Sequence, residues 1–141
     1  MTIMARTILL ISGDPTFSYH ATRELRVRGA HVETSASLAG AVWLSLHTSI
    51  DGVVIEATPE SDYSVVELVD RLRDQPGLLA VPIAVCLSDS EMLDAHSMYL
   101  ALRGCSVHGR PFNPDGLAAA LTTRRAPEPA GALQPRSPIW S

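Results

Sequence analysis

Five times along the chain a short apolar run is followed by a segment whose apolar residues recur at helical spacing. That alternation is the pattern of a doubly wound α/β sheet of parallel strands. Thr7 to Ser12 is the first run, and its Ile8-Leu9-Leu10-Ile11 core has no polar alternation, as expected of a strand buried on both faces. Asp14 is placed to cap the next helix, with Pro15 at the first helical position, Phe17, Ala21 and Leu25 along one face, and Gly29 ending it. His31 to Thr34 is short and more polar, which predicts an edge strand. Ser37 can cap a second helix through Leu38, Val42 and Leu46, and Gly52 to Ala57 reads as a central strand.

In the second half, Asp62 is a candidate cap for a helix burying Val65, Leu68, Val69 and Leu72. Pro82 to Leu87 predicts the fourth strand. Ser88 to Ser90 supply capping groups for a helix ending near Gly104, and Cys105 to His108 forms the fifth strand. Asn113-Pro114 is a cap and first-position pair for a last helix through Leu117, Ala120 and Leu121, ending near Arg124. One domain over residues 1–125 is therefore expected. From 126 to 141 the chain has no period and is punctuated by Pro127, Pro129, Gly131, Pro135 and Pro138, which predicts a flexible extension. Its apolar tip, Ile139-Trp140-Ser141, is either a docking peptide or a fortuitous end.

Composition narrows the function. The chain has 141 residues, one domain's worth, with 46% hydrophobic and only 5% aromatic content. A net charge of −4 offers no basic face for a phosphate backbone, so direct nucleic-acid binding is not expected. Apolar runs such as Val81 to Leu87 fall far short of the roughly 20 residues a membrane span needs, and no signal peptide is legible, so a cytoplasmic location is expected. Cys86 and Cys105 each adjoin an apolar strand and are read as small buried hydrophobes. The histidines at 20, 31, 47, 96 and 108 lack the spacing of a zinc site. All eleven basic residues are arginines, which excludes any chemistry that requires a lysine ammonium.

Three stretches carry a resemblance. They are Asp51-Gly52-Val53-Val54-Ile55-Glu56, Pro82-Ile83-Ala84-Val85, and Gly104 to Phe112 with Asn113-Pro114 behind it. Together they resemble response-regulator receiver domains over Thr7 to Arg124. The resemblance implies a flavodoxin-like sheet of order 2-1-3-4-5 and a cis bond at Arg110-Pro111. It also implies a site at the strand carboxyl ends where two acids and a phosphoacceptor aspartate hold Mg²⁺ beside a lysine. This chain departs from that pattern throughout. Ser12 and Gly13 stand where the acidic pair would be, with Asp14 one position late and read as a helix cap. Glu56 replaces the aspartate and Arg110 the lysine. Leu87 takes the place of the hydroxyl residue, with Ser88 one later, and Val107 that of the switch aromatic. Thr58 lies in a run that is one residue short.

Glu56 then admits two readings. It is a partial mimic of a phosphorylated aspartate, with one negative charge where a phosphoryl group carries about two, reaching Arg110 or the Thr58 hydroxyl. Otherwise it is a relic, a strand-end carboxylate paired with Arg110 whose loss costs only about 0 to 1 kcal/mol; a bidentate pair between them would be a structural lock. The leading functional expectation is a non-enzymatic, phosphorylation-independent module that needs no metal or cofactor. It would bind a signalling protein through the face of the fourth helix, fifth strand and last helix, and a homodimer is also possible. Met92, Met98, Tyr99, Leu102 and His108 are the candidates on that face, with at least two of the first four expected in the core. Two alternatives stand beside it. One is an atypical phosphoacceptor, Asp14 or Ser88, working with Mg²⁺. The other is a small-molecule site at the same crevice, although Ser12-Gly13-Asp14-Pro15 is no glycine-rich phosphate loop.

Overall fold

The structure is a computed structural model, and it describes residues 6–122. The expected boundary at residue 125 and the extension over 126–141, with Ile139-Trp140-Ser141, lie outside the described residues. Five strands, β1 (Thr7–Ile11), β2 (His31–Ser35), β3 (Gly52–Ala57), β4 (Ile83–Leu87) and β5 (Cys105–His108), pair in parallel in the order β2-β1-β3-β4-β5. Five helices alternate with them: α1 (Pro15–Val27), α2 (Leu38–His47), α3 (Val65–Arg73), α4 (Ser90–Leu102) and α5 (Pro114–Thr122), with a 3-10 turn over Pro76–Leu78. The doubly wound sheet and its 2-1-3-4-5 order are as the sequence implies, and the Arg110–Pro111 bond is cis.

The central strands bury both faces, so each divides its side chains between two apolar layers. Ile8, Leu10, Val54, Ala84 and Cys86 pack with Phe17, Ala21 and Leu25 of α1 and Leu117, Ala118 and Leu121 of α5. Leu9, Ile11, Val53, Ile55 and Val85 pack with Leu68, Val69 and Leu72 of α3 and Leu100 of α4. Asp14 caps α1 by accepting from the N–H groups of Thr16 and Phe17, and Gly29, at φ 98°, turns the chain out of it in the left-handed region.

Several local expectations are corrected. Ser64, not Asp62, caps α3, accepting from the Glu67 N–H at 3.3 Å, because that helix starts two residues later than the first capping residue available. α2 buries only Ala41, with Leu38 and Leu44 packed against the core, and leaves Leu46 exposed. Its apolar residues run all round, so periodicity could not pick the inner face. In α5 the buried alanine is Ala118 rather than Ala120. In α4 none of Met92, Met98, Tyr99 and Leu102 is fully buried; Leu100 takes the core position, Met92 packs at its edge, and Met98 is 79% exposed.

Among the described residues, Arg73 is the one charged side chain buried in that second layer. Its guanidinium donates to the carbonyls of Leu78, Leu79 and Val81, and to those of Arg103 and Gly104 at the end of α4. It ties the end of α3 and the following turn to the α4–β5 junction, and burial pushes its pKa down.

Candidate functional site

The carboxyl ends of β1, β3 and β5 bring Ser12, Asp14, Glu56 and Arg110 into one network. Glu56 points from β3 into the layer beneath α1 and is 1% exposed, a buried carboxylate that needs a partner for each oxygen. The Ser12 hydroxyl donates to Oε1 at 2.7 Å, and Nη1 of Arg110 donates to Oε2 at 2.8 Å. Nη2 of the same guanidinium reaches Oδ2 of Asp14 at 3.2 Å. The expected bidentate pair with Glu56 is thus corrected. The fork is shared, one prong to each carboxylate.

The network is anchored on every side. Ser12 accepts from the Asp14 N–H at 2.9 Å, and Oδ1 of Asp14 accepts from Thr16 at 2.9 Å while capping α1. The Arg110 guanidinium carbon lies 5.1 Å from the centre of the Phe17 ring, and Phe17 meets Phe112 edge to face. Tyr63 donates its hydroxyl to the backbone carbonyl of Glu56, and burial together with the Glu56 charge pushes its pKa well up. At Asp14 partial burial works against the charged form. The Arg110 hydrogen bond and the two backbone N–H groups outweigh it, so the pKa falls below its ordinary 3.8.

Phe17 and Tyr63 are site residues that reading from the sequence missed, and Ser12 was named there without its role as a donor to Glu56. Ser12 appeared only as a lost ligand; a serine beside a buried acid from the neighbouring strand was the available signal. The other expected positions are not brought into the network. The Thr58 hydroxyl accepts from the Glu60 N–H at 3.2 Å, within the turn after β3, and does not serve Glu56. Ser88 directs its hydroxyl at the Met92 sulfur, 3.7 Å away. Leu87 is fully buried, and Val107 is partly buried against the core. His108 has Nε2 2.9 Å from the Ser106 hydroxyl oxygen, and burial lowers its pKa. Cys86 and Cys105 are free and buried, with burial raising their thiols to about 12 and about 11.

The residues present do not fit Mg²⁺. A small hard cation needs several oxygen ligands in an octahedral shell, and the two carboxylates here already share a guanidinium. Among the described residues no cluster of three or more His, Cys, Asp or Glu could hold a metal. Shallow clefts of about 290 and 270 Å³ flank the network, one against Phe17, His20 and Phe112 and the other against Gly13, Thr34 and Ser35. Both fall below the roughly 300 to 1,000 Å³ typical of ligand pockets. An open depression of about 590 Å³ runs along α1 from Pro15 and Ser18 to Arg26 and Val27. No helix among the described residues is long and apolar enough to cross a membrane.

No family model matches the chain, and no curated protein matches it. Solved structures do. The chemotaxis response regulator CheY4 of Vibrio cholerae superposes with a TM-score of 0.71 at 19% identity, covering 85% of this chain and 98% of that one. A response regulator receiver domain protein from Clostridium thermocellum gives 0.70 at 17% identity, covering 83% and 91%. The signal receiver domain of a signal transduction histidine kinase from Syntrophus aciditrophicus gives 0.71 at 20% identity, covering 84% and 88%. The fold is that of response-regulator receiver domains. The site within it is a two-carboxylate, one-arginine latch.

Proposed function

We propose that this chain is a pseudo-receiver, a non-enzymatic cytoplasmic signalling module that binds a protein partner in a single state fixed without phosphorylation. One observation carries the reading: Arg110 spans Glu56 and Asp14, so the positive charge that would meet an incoming phosphoryl group is already neutralised from within the fold. Phosphoryl transfer needs a free acceptor carboxylate and a cation to balance the charge that develops. Glu56 is buried with both oxygens engaged, and no lysine exists to approach it. The absent relay supports the same reading, since Leu87 and Val107 offer neither a hydroxyl nor a ring to move. Binding is assigned to the α4–β5–α5 side, where Met98, Tyr99 and His108 remain accessible in whole or part.

Incubation with acetyl phosphate and Mg²⁺, followed by intact mass measurement, tests this. The expected result is an unchanged mass. A stoichiometric phosphoryl adduct would establish an atypical acceptor instead, with Asp14 and Ser88 the residues to map.

A further inference from the structure

Most charged side chains of the helices are engaged within the fold. Arg28 holds Glu24 and Asp115, Arg71 reaches Glu67, Arg103 reaches Asp70, and Arg73 is taken up by carbonyls. Four have no partner among the described residues: Arg23 and Arg26 on α1, and Glu91 and Asp94 on α4, all of them exposed.

Each of these pairs stands one turn apart beside an exposed apolar side chain. On α1 the outer stripe is Tyr19, Arg23 and Arg26, in steps of four and then three residues. On α4 it is Glu91, Asp94 and Met98, in steps of three and then four. At this spacing each set shares one helix face. The buried residues, Phe17, Ala21 and Leu25 on α1 and Leu100 on α4, lie on the other. Laid antiparallel, the two stripes match position by position over about 10 Å: Tyr19 meets Met98, Arg23 meets Asp94, and Arg26 meets Glu91. Tyr19 is 64% and Met98 79% exposed, and a thioether against an aromatic ring is a favourable contact. A parallel arrangement would set the ring against a carboxylate and an arginine against the methionine, so the match has one direction. The α1 stripe lines the open depression of about 590 Å³ along that helix.

We propose that copies of this chain associate head to tail, with α1 of one copy lying antiparallel on α4 of the next. A partner for the α1 stripe must bring two acids one turn apart and an apolar side chain one turn further along an exposed helix. This chain presents that set itself, in the required order. α1 and α4 cover opposite faces of the sheet, so one pair of copies cannot make both contacts. The contact is therefore heterologous, and a row of copies keeps a free α1 at one end and a free α4 at the other. Exposed ion pairs are individually weak and screened by salt, which makes the association concentration-dependent and salt-sensitive. The α4 half lies on the side proposed above for a protein partner, and the inference names one such partner.

Sedimentation velocity of the full chain from about 10 µM to about 1 mM, in about 0.1 M and about 1 M salt, tests this. In the lower salt the weight-average mass should climb above that of one chain, and in the higher salt it should stay there. Arg23→Glu with Arg26→Glu, and separately Glu91→Arg with Asp94→Arg, should each raise the dissociation constant tenfold or more. Circular dichroism should not change, since all four positions are exposed. An equal mixture of these two variants brings opposite charges together again and should associate as the wild type does. Glu60→Arg with Glu67→Arg, the same change of charge at exposed positions off the stripe, should also associate normally. A chain that stays monomeric in the lower salt, whatever else occupies the two stripes, overturns the proposal. So does association that survives either reversal alone, is not restored by mixing, or is lost in the Glu60 and Glu67 variant. No phosphodonor is present, so a monomeric result leaves the phosphorylation-independent reading, and its acetyl phosphate test, standing.

Discussion

Arg110 carries one positive charge between two carboxylates, and the planarity of its guanidinium lets that charge hold both. A lysine ammonium is a point charge on a flexible stem and would favour one partner. Glu56 is 1% and Arg110 26% exposed, so this pair is far from the surface ion pair first expected. Arg110→Ala would leave a buried carboxylate with Ser12 alone, and should cost about 3 kcal/mol in urea unfolding. Glu56→Gln keeps the shape and should cost less, about 1 to 2 kcal/mol. A loss under about 0.5 kcal/mol in both would mean that the network does not hold the loops together. The buried position also means that Glu56 is withdrawn from the surface, where it holds Arg110 and Ser12 between the β1–α1 and β5–α5 loops. Glu56 and Arg110 were legible as a pair because each replaces a charged residue at a strand end. The split fork was not, since nothing in the sequence places Asp14 within reach of the guanidinium.

At the scale of elements, Arg73 does for the opposite layer what Arg110 does for the site. Its five carbonyl partners come from the turn after α3 and the end of α4, where the helix dipole favours a cation. Arg73→Met removes every one of these bonds at once and should destabilise the domain by about 2 to 4 kcal/mol. An unchanged urea midpoint would show that water replaces the guanidinium at no cost. β5 supplies a pH test. Burial lowers the His108 pKa below its ordinary 6.5, so the unfolded chain takes up the proton first. Stability from this residue is complete above pH 6.5 and declines as the pH falls through that value towards the folded pKa. His108→Gln should flatten the stability profile just below pH 6.5, and an identical slope in the variant would count against burial as the cause. In the helices with one apolar face, α1 and α3, the buried apolar residues were legible, though the α3 cap and the buried Arg73 were not. α2 and α4 were not, because their apolar residues surround the helix and only packing selects Ala41 and Leu100.

For the whole molecule, alternating apolar runs and helical segments dictated the layered sheet, and of the positions expected at the strand carboxyl ends the fold brings Ser12, Asp14, Glu56 and Arg110 together. What the one-dimensional pattern could not convey is how the parts close on each other. Ser12 was read as a missing ligand and is a hydrogen-bond donor; Tyr63 was unremarked and braces the backbone of β3. The chain has a receiver fold in which Ser12, Asp14, Glu56 and Arg110 close on one another at the strand carboxyl ends. The most direct measurement is a two-dimensional amide NMR titration of the full chain with beryllofluoride and Mg²⁺. The latch predicts no saturable shift at Ser12, Asp14, Glu56, Ser88 or Arg110. Saturable shifts at those strand ends, spreading into α4 and β5, would contradict it and restore a working phosphorylation switch.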